Sequence, residues 1–83
     1  MHKKSDEVVA RLSRIEGHVR GLARMVTDNR DCDEVIHQIG AVKAALNQVA
    51  LIVLEDHLEN CLSDHSPQPT EVQKLKDAIG KLV

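Results

Sequence analysis

From Cys32 to about Ser63 the chain contains no proline and one glycine, Gly40, while Ile36, Ile39, Val42, Leu46, Val49, Ile52, Val53 and Leu58 recur at helical spacing. One unbroken helix is predicted. Its length exceeds what an 83-residue monomer needs, which points to packing against a copy of itself. The absence of any Phe, Tyr or Trp leaves Leu, Ile, Val, Ala and Met to build a core. Such a core favours helical seams, although Val and Ile also suit strands. A chain this short buries a modest fraction of its surface alone, so self-association supplies the missing core.

Two shorter helices flank the long one. Val8, Leu12, Ile15, Val19, Leu22 and Val26 form one amphipathic stripe, predicting a helix over about 5–26. Gly17 and Gly21 lie inside it, and close approach of another backbone would offset their low helix propensity. The segment Thr27-Asp28-Asn29-Arg30-Asp31 reads as a turn, and Asp31 with Glu34 resembles a capping box opening a helix over about 32–63. A polar, proline-containing linker from Asp64 to Pro69 follows. Thr70 and Gln73 form a second such box before Val72, Leu75, Ile79 and Leu82, predicting a helix over about 70–82. The expected fold is all-α: a three-helix protomer with one long central helix, in a single domain over residues 1–83.

The net charge of −2 hides an uneven distribution. Residues 1–30 carry seven Lys/Arg against four Asp/Glu, and residues 31–83 carry four against nine. The basic end is compatible with phosphate binding, most of all when several copies add their charge. The opening residues Met1 to Glu7 have no apolar signal-like core, and no later apolar run is read as long enough to span a bilayer. The expectation is a cytoplasmic protein with no membrane partner. In such a compartment Cys32 and Cys61 suit metal ligation or thiol chemistry better than a disulfide; the plain alternative is two small buried hydrophobes.

His57 and Cys61 lie four apart, on neighbouring turns of one helix face. At about 100° per residue, both fall roughly 20° either side of the azimuth of Cys32. The three share a face, yet a continuous helix puts Cys32 roughly 43 Å from Cys61. One chain cannot close this site. Two long helices packed antiparallel about an axis near Leu46 bring Cys32 of one chain to His57 and Cys61 of the other, twice per dimer. Two thiolates and an imidazole suit Cu(I), and Zn(II) where water or another residue adds a fourth ligand. A Cys–His pair also occurs in nucleophilic catalysis. No oxyanion hole or substrate pocket is marked, so an enzyme ranks well below a sensor.

The run Arg11-Leu12-Ser13-Arg14-Ile15-Glu16-Gly17-His18-Val19-Arg20-Gly21-Leu22 resembles the signature of the CsoR/RcnR family of bacterial repressors. So do Cys32 followed by Gln38-Ile39-Gly40-Ala41-Val42-Lys43-Ala44-Ala45-Leu46, and His57-Leu58-Glu59-Asn60-Cys61. The resemblance implies an antiparallel dimer forming a four-helix bundle, a disc-like homotetramer, and release of operator DNA when an inducer binds between subunits. It places DNA contacts at Arg11 and Arg14, with Lys43 and Gln48 on the long helix, whereas Arg20 and Arg24 read as a solvated face. Cys32, His57 and Cys61 match the family's Cu(I)-sensor pattern, implying control of a copper resistance or efflux operon. Nickel sensors typically carry histidine at position 61 and a further N-terminal ligand, for which His2 offers some room. Formaldehyde sensors rely on an N-terminal proline where this chain has His2; persulfide sensors need only the two cysteines. The family's copper sensors usually place a tyrosine before the first cysteine and a glutamate in the third helix. Here Asp31 stands in the first place, as a candidate partner for His57, and the third helix offers Glu71, Lys74 and Asp77 without a clear match.

Overall fold

In a computed structural model the chain forms α1 (Ser5–Thr27), α2 (Cys32–Asp64) and α3 (Pro69–Gly80). The structure describes residues 4–64 and 69–82, without the side chains of 59–64. Asp6 and Glu7 in the first turn of α1 and Arg24 in its last complement the helix dipole. The helix then stops on a Schellman motif. Asn29 takes a left-handed φ of 56°, its N–H donates to the Val26 carbonyl at 3.2 Å, and the Arg30 N–H donates to the Met25 carbonyl at 3.0 Å. Asparagine tolerates that conformation better than other residues bearing a Cβ.

Both predicted capping boxes are replaced by other pairings. Glu34 reaches back to Arg30 at 2.9 Å, and Asp31 serves α2 through its carbonyl, which accepts the Val35 N–H at 3.2 Å. Gln73 donates to Asp77 at 3.0 Å, and α3 begins at Pro69, whose fixed φ suits a first helical position. In each case a side chain one helical turn away offers a nearer partner than the cap.

α1 and α2 pack antiparallel. Val8 and Ile15 meet Val42 and Val49, with Leu22, Ala45, Ile52 and Val53 around them. Seven-residue steps on both helices make this a coiled-coil-like seam. Lys4 opposite Glu55 at 3.4 Å and His18 opposite Gln38 at 2.6 Å hold its register. Gly17 and Gly21 do not sit in that seam. A Cβ at Gly17 would meet the Arg20 guanidinium at 3.8 Å, and one at Gly21 nothing within 4 Å, so among the described residues no backbone of another segment approaches either glycine.

The molecule measures 52 × 26 × 13 Å, one helix thick in its smallest dimension. Its radius of gyration of 16.5 Å exceeds the roughly 12 Å of a compact chain of this length. A single layer buries little. Ile36 stays 60% exposed and Leu46 44%, and α3 stands off α2 across an open, apolar cleft of about 700 Å³.

The bilayer expectation needs correction. By length and composition Cys32–Leu58 is long and apolar enough to cross a membrane, at a mean hydropathy of 1.3. Lys43 is the one charged residue between Glu34 and Glu55. α2 carries two apolar stripes, and a helix that must bury two sides in protein has nearly the average composition of one buried in lipid.

Candidate functional site

The Schellman turn at Asn29 delivers Cys32 as the first residue of α2, with its thiol free and exposed. α2 runs on through Gly40 without interruption to Asp64. His57, exposed, lines the cleft toward α3, about 38 Å along the helix from Cys32. Cys61 lies one turn beyond in the same helix, and its side chain is outside the described residues, as is all of His2. Among the described residues no three His, Cys, Asp or Glu side chains come close enough to hold a metal within one chain. The structure thus leaves Cys32 and His57 apart. Asp31 stands exposed beside Cys32, so a contact with His57 would also have to cross between chains.

Two interleaved stripes explain this arrangement. Val35, Gln38, Val42, Ala45, Val49, Ile52 and Asp56 recur at steps of three and four on the side of α2 that meets α1. Cys32, Ile36, Ile39, Lys43, Leu46, Ala50, Leu54, His57 and Cys61 form a second stripe. That second stripe, bearing all three candidate ligands, is the one α1 leaves uncovered.

On the other side of the hairpin, Arg11 and Arg14 line a shallow groove of about 200 Å³ with Ile15, His18 and Ala45. Arg11 is held loosely by Glu7 at 3.4 Å, and Arg20 pairs closely with Glu16 at 2.7 Å. Among the described residues Arg14 pairs with no carboxylate. Gln48 lies about 60° round α2 from Ala45, whereas Lys43 lies about 160° away, on the ligand-bearing stripe. One chain therefore presents Arg11, Arg14 and Gln48 near one face and Lys43 on another.

Two residues escaped the sequence reading. His18 bridges the helices through Gln38, a pairing that depends on their register. Asp56 is fully buried, at 0% exposure. Its signal was present, because Val42, Val49 and Asp56 are seven apart, which puts a carboxylate on the packed stripe.

Comparison with known proteins places this geometry. The profile of the metal-sensitive transcriptional repressor family matches residues 4–81. The copper-sensing transcriptional repressor CsoR of Bacillus subtilis (strain 168) is 48% identical over 62 residues, covering 75% of this chain and 61% of that protein. The copper-sensing transcriptional repressor RicR of Mycobacterium tuberculosis is 44% identical over 61 residues, covering 74% and 64%. The match thus spans somewhat under two thirds of the length of these curated relatives. Among solved structures, the nickel-responsive transcriptional regulator InrS superposes with a TM-score of 0.78 at 38% identity, covering 100% of this chain and 97% of that one. The copper-sensing repressor CsoR with Cu(I) from Geobacillus thermodenitrificans NG80-2 gives 0.75 at 35% identity, covering 99% and 85%. With its helices, its signature residues and these likenesses in agreement, the chain belongs to the CsoR/RcnR family of metal-sensitive transcriptional repressors.

Proposed function

We propose that this chain is a Cu(I)-responsive transcriptional repressor that binds operator DNA when metal-free and releases it on Cu(I) binding, derepressing a copper resistance or efflux operon. It acts in the cytoplasm as an antiparallel homodimer assembled into a homotetramer, and performs no catalysis. The observation that carries this reading is the open stripe of an unbroken α2, with Cys32 at one end and His57 and Cys61 at the other. A second copy laid antiparallel on that stripe covers Ile36, Ile39 and Leu46 and completes two sites at once. Cys32 from one chain with His57 and Cys61 from the other is a soft donor set that fits Cu(I), which would supply the bond between the two chains. Arg11, Arg14 and Gln48 would meet phosphates, giving a salt-dependent affinity. Lys43 lies on the stripe that the second copy covers, so it would join them only by extending its long side chain past the edge of that interface. Asp31 would orient His57 across the interface in place of the usual tyrosine.

Two further inducers have specific support. The likeness to a nickel-responsive regulator favours nickel, against which a cysteine at position 61 argues. An exposed Cys32 thiol favours persulfide, since Cys32 and Cys61 of facing chains suffice for a crosslink. Operator binding measured by anisotropy against Cu(I), Ni(II), Zn(II), formaldehyde and persulfide donors decides among them. His57→Ala should abolish most of a copper response and leave a persulfide response nearly intact. Sharing of the site between chains has its own test. Mixing Cys32→Ser with Cys61→Ser chains should restore Cu(I) binding to about a quarter of wild-type capacity on statistical mixing. No restoration would place the ligands within one chain.

A further inference from the structure

Arg11, Arg14 and His18 stand three and four residues apart, so all three fall within about 60° of arc on α1. They line one groove, with Ala45 of α2 on its other side. Among the described residues no carboxylate lines that groove with them. Glu16 lies about 160° round α1 from His18 and is paired with Arg20 at 2.7 Å. Glu7 reaches Arg11 from one turn earlier, at 3.4 Å. From α2 the ring meets the uncharged Gln38, and Glu34, one turn before Gln38, is paired with Arg30 at 2.9 Å. The groove is therefore cationic, and His18 sits in it beside two guanidinium groups.

The setting of the ring limits what it can offer a ligand. His18 is half-buried and crosses the seam to Gln38, with Nε2 at 2.6 Å from Oε1. An amide oxygen can only accept, so Nε2 is the donor, and the bond fixes both the plane of the ring and its tautomer. Nδ1 then carries no hydrogen while the ring is neutral. It becomes a donor only when the ring is an imidazolium, and it is then a charged one. Gly21 follows His18 on the same side of α1, where an added Cβ would meet nothing within 4 Å. The surface beside the ring is low enough for a DNA strand to come close.

We propose that His18 is a third phosphate contact of the DNA face: its Nε2–H is held by Gln38, and its Nδ1–H donates to a backbone phosphate alongside Arg11 and Arg14. Binding then takes up one proton per contact, since a neutral ring and a proton from solvent become the imidazolium that meets the phosphate. The negative charge of the phosphate favours the charged ring in the complex. Operator affinity is accordingly strongest at low pH and weakens as pH rises through the range in which imidazoles ordinarily titrate.

The inference rests on the proposed repressor function, and its test separates the two. Metal-free wild type and His18→Ala are titrated by anisotropy against a labelled duplex from upstream of the protein's own gene and an unrelated duplex of equal length. Salt is varied at about pH 6 and at about pH 8, on either side of the ordinary imidazole range. At the lower pH the variant should bind both duplexes about tenfold more weakly. Its slope of log affinity against log salt should be shallower by about one for each His18 that meets a phosphate. At the higher pH the two proteins should share one slope. Equal slopes at both pH values would overturn the contact and leave His18 as a tie between helices. A loss confined to the upstream duplex would overturn it too, because that marks a base contact. Gln38→Ala cuts the same tie but keeps the ring, so it should retain the wild-type slope at low pH; a slope as shallow as that of His18→Ala would assign the loss to the tie. Should His18→Ala fail to fold, calorimetry of wild type in two buffers of different ionisation enthalpy decides, and DNA binding without proton uptake would rule the contact out. Wild type that binds neither duplex at low salt would sink the repressor reading itself.

Discussion

The two stripes of α2 are built from similar residues and meet opposite fates. Val42 and Val49 are 8% exposed against α1, whereas Ile36 and Leu46, of equal or greater apolar surface, remain 60% and 44% exposed. The packed stripe is satisfied within the chain and makes the hairpin. The open stripe carries the candidate ligands at its ends and leaves an apolar middle that only another surface can cover. Folding and the proposed function are thereby divided between two sides of one helix. The side unfinished in a single chain is the side on which the proposed inducer acts.

The largest effect is expected where the open stripe is broken at its centre. Leu46→Glu would set two like charges near the proposed two-fold axis and raise the dimer dissociation constant by more than about a thousandfold, about 4 kcal/mol. Sedimentation equilibrium reads this directly, and an unchanged mass would move self-association to another face. The packed stripe should answer differently. Ile15→Ala removes a buried side chain from the α1–α2 seam and should lower stability by about 2–5 kcal/mol in urea unfolding, with dimers still formed by the folded fraction. If Ile15→Ala instead dissociates the dimer as Leu46→Glu does, the two stripes are not independent. The smallest effect belongs to the turn that sets where α2 begins. Asn29→Ala places an ordinary Cβ at a φ of 56° and should cost about 1 kcal/mol. Asn29→Gly should restore that loss, and thermal melts of the pair distinguish left-handed strain from loss of a side-chain contact.

Much of this division was legible in the order of residues. The period of the long run predicted an unbroken α2, and Gly40 did not interrupt it, because one glycine in a strongly periodic helix lowers propensity without removing a hydrogen bond. The azimuths of Cys32, His57 and Cys61 followed from the same period. The predicted capping boxes do not form because Glu34 and Gln73 find partners one turn away in Arg30 and Asp77, and local spacing cannot rank competing hydrogen bonds. The membrane-like composition of α2 shows in no single apolar run, because two stripes interrupted by polar residues average to the same hydropathy.

Helix periodicity is a property of the chain itself, since 3.6 residues per turn holds whatever surrounds the helix. The sequence alone therefore determined the three-helix class, the unbroken α2 and the shared azimuth of the candidate ligands. Contacts between helices depend on their relative register, which no single helix encodes. Only the tertiary structure decided that Asp56 is buried, that His18 meets Gln38, that Arg11 and Arg14 share a groove with Ala45, and that the stripe bearing Cys32 and His57 is the one left open.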